Sequence, residues 1–103
     1  MRWVAIDTVG PVIGVALRVD GRTLARTERV QRGSETRLAP WIAELCAEAG
    51  LSAGSVDGVA VSVGPGAFTG LRVGLSTALG LAFAASCPVY AAMSLDPIDF
   101  GYG

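Results

Sequence analysis

The sequence predicts an α/β lobe of order βββαβαβ, a mixed five-stranded sheet with two main helices. Three observations carry that prediction. Three short β-type runs joined by turn signals open the chain, a segment with helical spacing follows, and a strand–glycine turn–helix unit then leads to a last short strand. The 103 residues suffice for one domain with one core.

Arg2 to Ile6 (RWVAI) is the first run, ending at Asp7-Thr8 with Gly10-Pro11 as punctuation. Val12 to Val19 (VIGVALRV) is the second, and Asp20-Gly21 after it is a strong hairpin signal. Arg22 to Val30 (RTLARTERV) alternates polar and apolar residues, as a strand with one wet face at a sheet edge does. Together these form an antiparallel meander.

Helical spacing begins after Gln31-Arg32-Gly33. Leu38, Trp41, Ile42, Leu45 and Ala49 fall on one face, with Ser34 or Thr36 as the expected N-cap. Pro40 is expected in the first turn, where its missing N–H costs least, and Gly50 is the expected stop. Ser52 to Gly58 is read as a loop leading to the strand Val59 to Val63.

The stretch Val59 to Ala82, VAVSVGPGAFTGLRVGLSTALGLA, then turns on Gly64-Pro65-Gly66 into the second helix. A strand, a glycine-rich turn and a helix N-terminus can cradle a phosphate. The pattern is not a Walker loop, because Leu71-Arg72 stands where Lys-Ser/Thr is needed, and no acid ends the next strand as a dinucleotide site requires. A tight turn that packs helix on strand is the plainer reading.

Val73 to Leu95 carries no charge over 23 residues, a length that can span a membrane. Its glycines, Ser76, Thr77, Ser86 and the break at Cys87-Pro88 favour a buried helix followed by a buried strand, Val89 to Ala92. On a helical wheel Phe68, Leu71, Leu75, Leu79 and Phe83 share the face expected on the sheet. Gly70, Val73, Gly74, Thr77, Gly80, Leu81 and Ala84 form a small, uncharged opposite face, expected to meet another helix.

Composition excludes several chemistries. A net charge of −1 and a pI near 5.2 argue against broad nucleic-acid binding. All eight basic residues are Arg, so there is no imidazole for a metal or a base and no lysine for a phosphate loop or Schiff base. Cys46 and Cys87 lack metal spacing and read as reduced thiols. With no signal-peptide pattern at Met1-Arg2-Trp3, the expected location is cytoplasmic. A mean hydropathy of +0.52 is high for so small a domain and points to apolar surface that meets something else, either missing chain or another subunit.

The βββαβαβ order with Asp7-Thr8 ending the first strand resembles one lobe of the ribonuclease-H-like, actin-like ATPase architecture. More specifically, MRWVAIDT, RGSETRLAP and above all GPGAFTGLRVGLSTALGLA resemble the bacterial tRNA threonylcarbamoyladenosine biosynthesis family TsaB (YeaZ). The resemblance covers residues 1–95 as the family's N-terminal lobe. Residues 96–103 (DPIDFGYG) diverge, the family's second lobe is not in the sequence, and Ser34 stands where the family often has His.

That resemblance implies a non-catalytic scaffold for the N6-threonylcarbamoyladenosine of ANN-codon tRNAs, with no metal site and no protease site. It implies pairing with a TsaD-like catalytic subunit or a second copy through N-terminal-lobe helices. A TsaE-like ATPase joins through the complex, tRNA is engaged only indirectly, and no membrane is involved. ATP and Mg²⁺ would belong to partner subunits, with no cofactor on this chain. The expected interface residues are Ala39, Ala43 and Ala47 of the first helix with Gly70, Val73, Gly74, Thr77 and Leu81 of the second. Asp7, Thr8, Gly64, Pro65, Gly66, Phe68, Thr69 and Arg72 are expected to be a vestigial phosphate site or a structural motif. The alternative is an independent actin-like small-molecule ATPase or kinase lobe, which would need this chain to bind nucleotide and Mg²⁺.

Overall fold

The Asp20-Gly21 turn organises the first half of the fold. Both residues have positive φ (48° and 84°), the geometry of a two-residue hairpin turn whose twist matches its strands. It joins β2 (Val12–Val19) to β3 (Arg22–Arg29) in antiparallel register, Val19 opposite Arg22. β2 pairs on its other side with β1 (Arg2–Asp7). The structure, a computed structural model, describes residues 1–63 and 68–92, and for 68–71 the backbone alone.

Among the described residues five strands form one sheet in the order β3-β2-β1-β4-β5. β4 (Gly58–Ser62) lies parallel to β1, and β5 (Val89–Ala92) parallel to β4. This is the predicted ribonuclease-H-like lobe, with β3 at one edge as its alternation requires. Strand ends shift by one residue: β1 runs on to Asp7, β3 stops at Arg29, and β4 starts at Gly58 and stops at Ser62.

Two helices cover one face of the sheet. α1 (Leu38–Glu48) lies over β2 and α2 (Phe68–Ala85) over β4. Their shared core holds Val4, Ile6, Val15, Leu17, Val59 and Val61 from the strands, Leu38, Ile42, Leu45 and Cys46 from α1, and Ala78 and Ala82 from α2. On the opposite face Ala25, Ala16, Ala5 and Ala60 stand in register across four strands. Beside that row Trp3 covers Gly58 and packs against Tyr90 with ring centroids 5.2 Å apart.

Neither predicted cap serves α1. Ser34–Arg37 is a turn of 3₁₀ helix, and Arg37 precedes α1 without a side-chain cap. The Ser34 hydroxyl instead accepts from Gln31 N–H (2.8 Å) and donates to Glu28 (3.1 Å), while Thr36 donates to Gly33 O (2.7 Å). Both hydroxyls are engaged locally, as these side chains readily are. Pro40 does sit in the first turn. Gly50 closes α1 with φ 74°, its N–H bonded to Ala47 O and the Leu51 N–H to Cys46 O. The 52–58 loop contains a short 3₁₀ turn, Ala53–Ser55.

The wheel assignment of α2 is overturned. Leu75, Leu79 (53% exposed) and Phe83 (90% exposed) face outward, and Gly74, Ala78 and Ala82 face the sheet. Small residues there bring the helix axis close to β4. Phe68 and Leu71, of the same predicted face, lie outside the residues whose side chains are described. Nor is β5 buried: it is an edge strand, and Tyr90 on it is exposed. No helix among the described residues is long and apolar enough to cross a membrane.

Candidate docking site between the two helices

The two helices share one sheet face with a gap between them, and mostly small residues line that gap. α1 contributes Ala39, Ile42 and Ala43, α2 contributes Ser76, Thr77, Gly80 and Leu81, and Ala53 closes one end. They enclose an open cavity of about 350 Å³. No charged side chain lines it. The Thr77 hydroxyl donates to Val73 O within the helix (3.0 Å), so its hydrogen-bonding capacity is turned inward. A second cavity of about 310 Å³ continues over Arg72 and Val73 and shares Ser76 and Thr77 with the first.

Charges are drawn to the far side of α1. Arg26 on β3 bridges to Glu44 (3.8 Å) and to Glu48, and Arg37 pairs with Glu28 (3.2 Å). These partly exposed pairs tie the edge strand to the helix layer. They leave the flank of α1 that faces α2 to alanine. Beyond the cavities α2 presents Leu75, Leu79 and Phe83 outward, so apolar surface continues across the helix.

Of the residues predicted for an interface, Ala39, Ala43, Thr77 and Leu81 come together in one cavity, with Val73 in the adjoining one. Ala47 is exposed on α1 but outside both linings. Gly74 is buried under the helix, where a β-carbon would stand 2.3 Å from the Thr8 hydroxyl oxygen. Gly70 lies in the first turn of α2, described in backbone only. Gly80, placed on the small face of α2 by the helical wheel, also lines the cavity, whereas sequence reading missed Ile42, Ala53 and Ser76 as lining. The signal for Ser76 was its smallness at four-residue spacing from Gly80.

The other predicted group divides. Asp7 ends β1, and one of its carboxylate oxygens accepts from Val9 N–H (3.3 Å). Thr8 is buried against α2, and Arg72 is exposed. Phe68 and Thr69 belong to the first turn of α2, described in backbone only, and Gly64, Pro65 and Gly66 lie outside the described residues. Among the described residues no three His, Cys, Asp or Glu side chains cluster as metal ligands do. Burial raises the pKa of the Cys46 thiol, and burial with the nearby Asp57 charge raises that of Cys87, so neither is primed as a nucleophile.

Comparison with known proteins follows the same lines. The family model described as TsaD, tRNA N6-adenosine threonylcarbamoyltransferase, matches residues 26–98. The tRNA threonylcarbamoyladenosine biosynthesis protein TsaB of Haemophilus influenzae is 44% identical over 85 residues, which are 82% of this chain and 36% of that protein. TsaB of Escherichia coli is 36% identical over 95 residues, covering 92% of this chain and 41% of its own length. The solved structure of YeaZ from Pseudomonas aeruginosa superimposes with a TM-score of 0.83 at 40% identity, over 91% of this chain and 44% of that one. The chain thus spans less than half the length of these relatives.

Proposed function

The chain belongs to the family of TsaD, tRNA N6-adenosine threonylcarbamoyltransferase, and within it to the TsaB (YeaZ) proteins, and from that premise we propose that it serves N6-threonylcarbamoyladenosine synthesis in tRNA as a docking subunit without chemistry of its own. The observation that carries this reading is the charge-free, small-residue groove between α1 and α2. Water covers such a surface poorly, and its small side chains let another helix come close. The partner proposed for it is a TsaD-like catalytic subunit, with a second copy of this chain as the other occupant. A TsaE-like ATPase and tRNA join through the assembly. In this proposal ATP and Mg²⁺ are held by partner subunits, in the cytoplasm.

Gly80 offers a clean test. It lines the groove, and a β-carbon built there meets nothing within 4 Å. Gly80→Arg should therefore leave the fold intact, and replacing a helical glycine should add about 0.5–1 kcal/mol of stability. The same substitution fills the groove with a charged side chain. In a pull-down with the cognate TsaD, Gly80→Arg should lose binding that the wild type shows. Retained binding by this variant overturns the groove as the docking site.

A further inference from the structure

At one point on the sheet side of α2 the helix contributes no side chain of its own to the packing. Gly74 is buried, and a β-carbon on it would lie 2.3 Å from Thr8 Oγ1 and 3.4 Å from Thr8 Cβ and Cγ2. The first distance is about 1 Å short of ordinary van der Waals contact, and a threonine, with two heavy atoms on Cβ, has little room to rotate away. Thr8 is itself buried directly after Asp7, at the end of β1. From there α2 runs on through Ala78 and Ala82, also buried, while Thr77 and Leu81 of the same turns line the groove toward α1. The height of α2 at Gly74 therefore sets how far Thr77, Gly80 and Leu81 stand from Ala39 and Ala43.

We propose that Thr8 and Gly74 form a seat that registers α2 on the sheet and so fixes the shape of the α1–α2 groove. Both act on partner docking as positioning residues, without touching the partner. The proposal rests on the docking role argued above for the groove. It gives the strand-end Asp7-Thr8 segment a mechanical role, since the threonine is packed beneath a helix backbone. It also sets Gly74 apart from Gly80, which lies on the groove surface with open space around it. Cores of this density do not absorb an extra methyl without moving something, and the element free to move is the helix.

Complementary substitutions separate this from mere loss of folding. Affinity for the cognate TsaD is measured by titration calorimetry for the wild type, Gly74→Ala, Thr8→Ala, and the two together, with circular dichroism on each. Gly74→Ala should bind about tenfold or more weakly while remaining folded, and the double variant should return to within about threefold of the Thr8→Ala affinity. Thr8→Val with Gly74→Ala, which keeps a heavy atom at the obstructing position, should stay weak. Wild-type affinity in Gly74→Ala, or no recovery in the Thr8→Ala double, overturns the seat. If the wild type itself does not bind TsaD, the docking reading fails instead. Hydrogen exchange along residues 72–85 then decides on the seat: faster exchange in Gly74→Ala, reversed in the double, sustains it, and unchanged exchange in Gly74→Ala, or no reversal, removes it.

Discussion

Left-handed backbone positions show how single residues set this fold. Gly21 and Gly50 hold φ near 84° and 74° at the hairpin and at the end of α1, where glycine adopts that conformation without strain. α2 ends in the same hydrogen-bonding pattern, with Ser86 N–H donating to Phe83 O and Cys87 N–H to Ala82 O, yet Ser86 stands there with φ 53°. A side chain in that region costs about 1–2 kcal/mol, part of which glycine gives back as unfolded-chain entropy. Ser86→Gly should accordingly stabilise the domain by about 0.5–1 kcal/mol. Urea unfolding monitored by tryptophan fluorescence reads this as a higher midpoint with an unchanged slope, and a lower midpoint would mean that the serine side chain holds something in place. The sequence pointed to Gly21 and Gly50 because glycine at a helix or strand end has one dominant use. Serine has several, so Ser86 was read only as a polar interruption of the apolar run, and Cys87-Pro88 beside it announced the break.

At the scale of elements, the strands and both helices were legible because periodicity and turn chemistry agreed along most of the chain. The orientation of α2 was not, and the reason is physical. Assigning Leu75, Leu79 and Phe83 to the core assumes that the largest apolar residues are the buried ones. In α2 the buried row is Gly74, Ala78 and Ala82, and at Gly74 the Thr8 side chain leaves no room for anything larger. Hydrophobic patterning cannot decide between two apolar faces of one helix; that choice depends on the shape of the surface beneath it, which for the proposed seat is Thr8. The consequence can be measured. Phe83→Ser and Leu79→Ser should each shift unfolding by no more than about 0.5 kcal/mol, as exposed positions do. Ala78→Leu, into a residue with no exposed surface, should cost about 1–3 kcal/mol or more through overpacking. Chemical denaturation of the three variants checks the order; the reverse ranking would restore the face read from the wheel.

For the whole molecule, the consequence of the fold is that the proposed docking surface lies on one side. Both helices sit on the same sheet face, the ion pairs of Arg26 and Arg37 lie toward β3, and the uncharged groove continues into the outward row of Leu75, Leu79 and Phe83. If a second copy and a TsaD subunit both use this surface, as proposed, they cannot occupy it together. The two equilibria are then linked by mass action: raising the concentration of this chain fills the surface with its own copies and lowers the apparent affinity for TsaD. Size-exclusion chromatography with light scattering should show self-association that grows with concentration and disappears in Gly80→Arg. Adding TsaD should convert the self-associated species into a one-to-one complex, with an apparent dissociation constant that rises as more of this chain is present. A stable assembly of two copies of this chain with one TsaD would require a second docking surface and would overturn the competition.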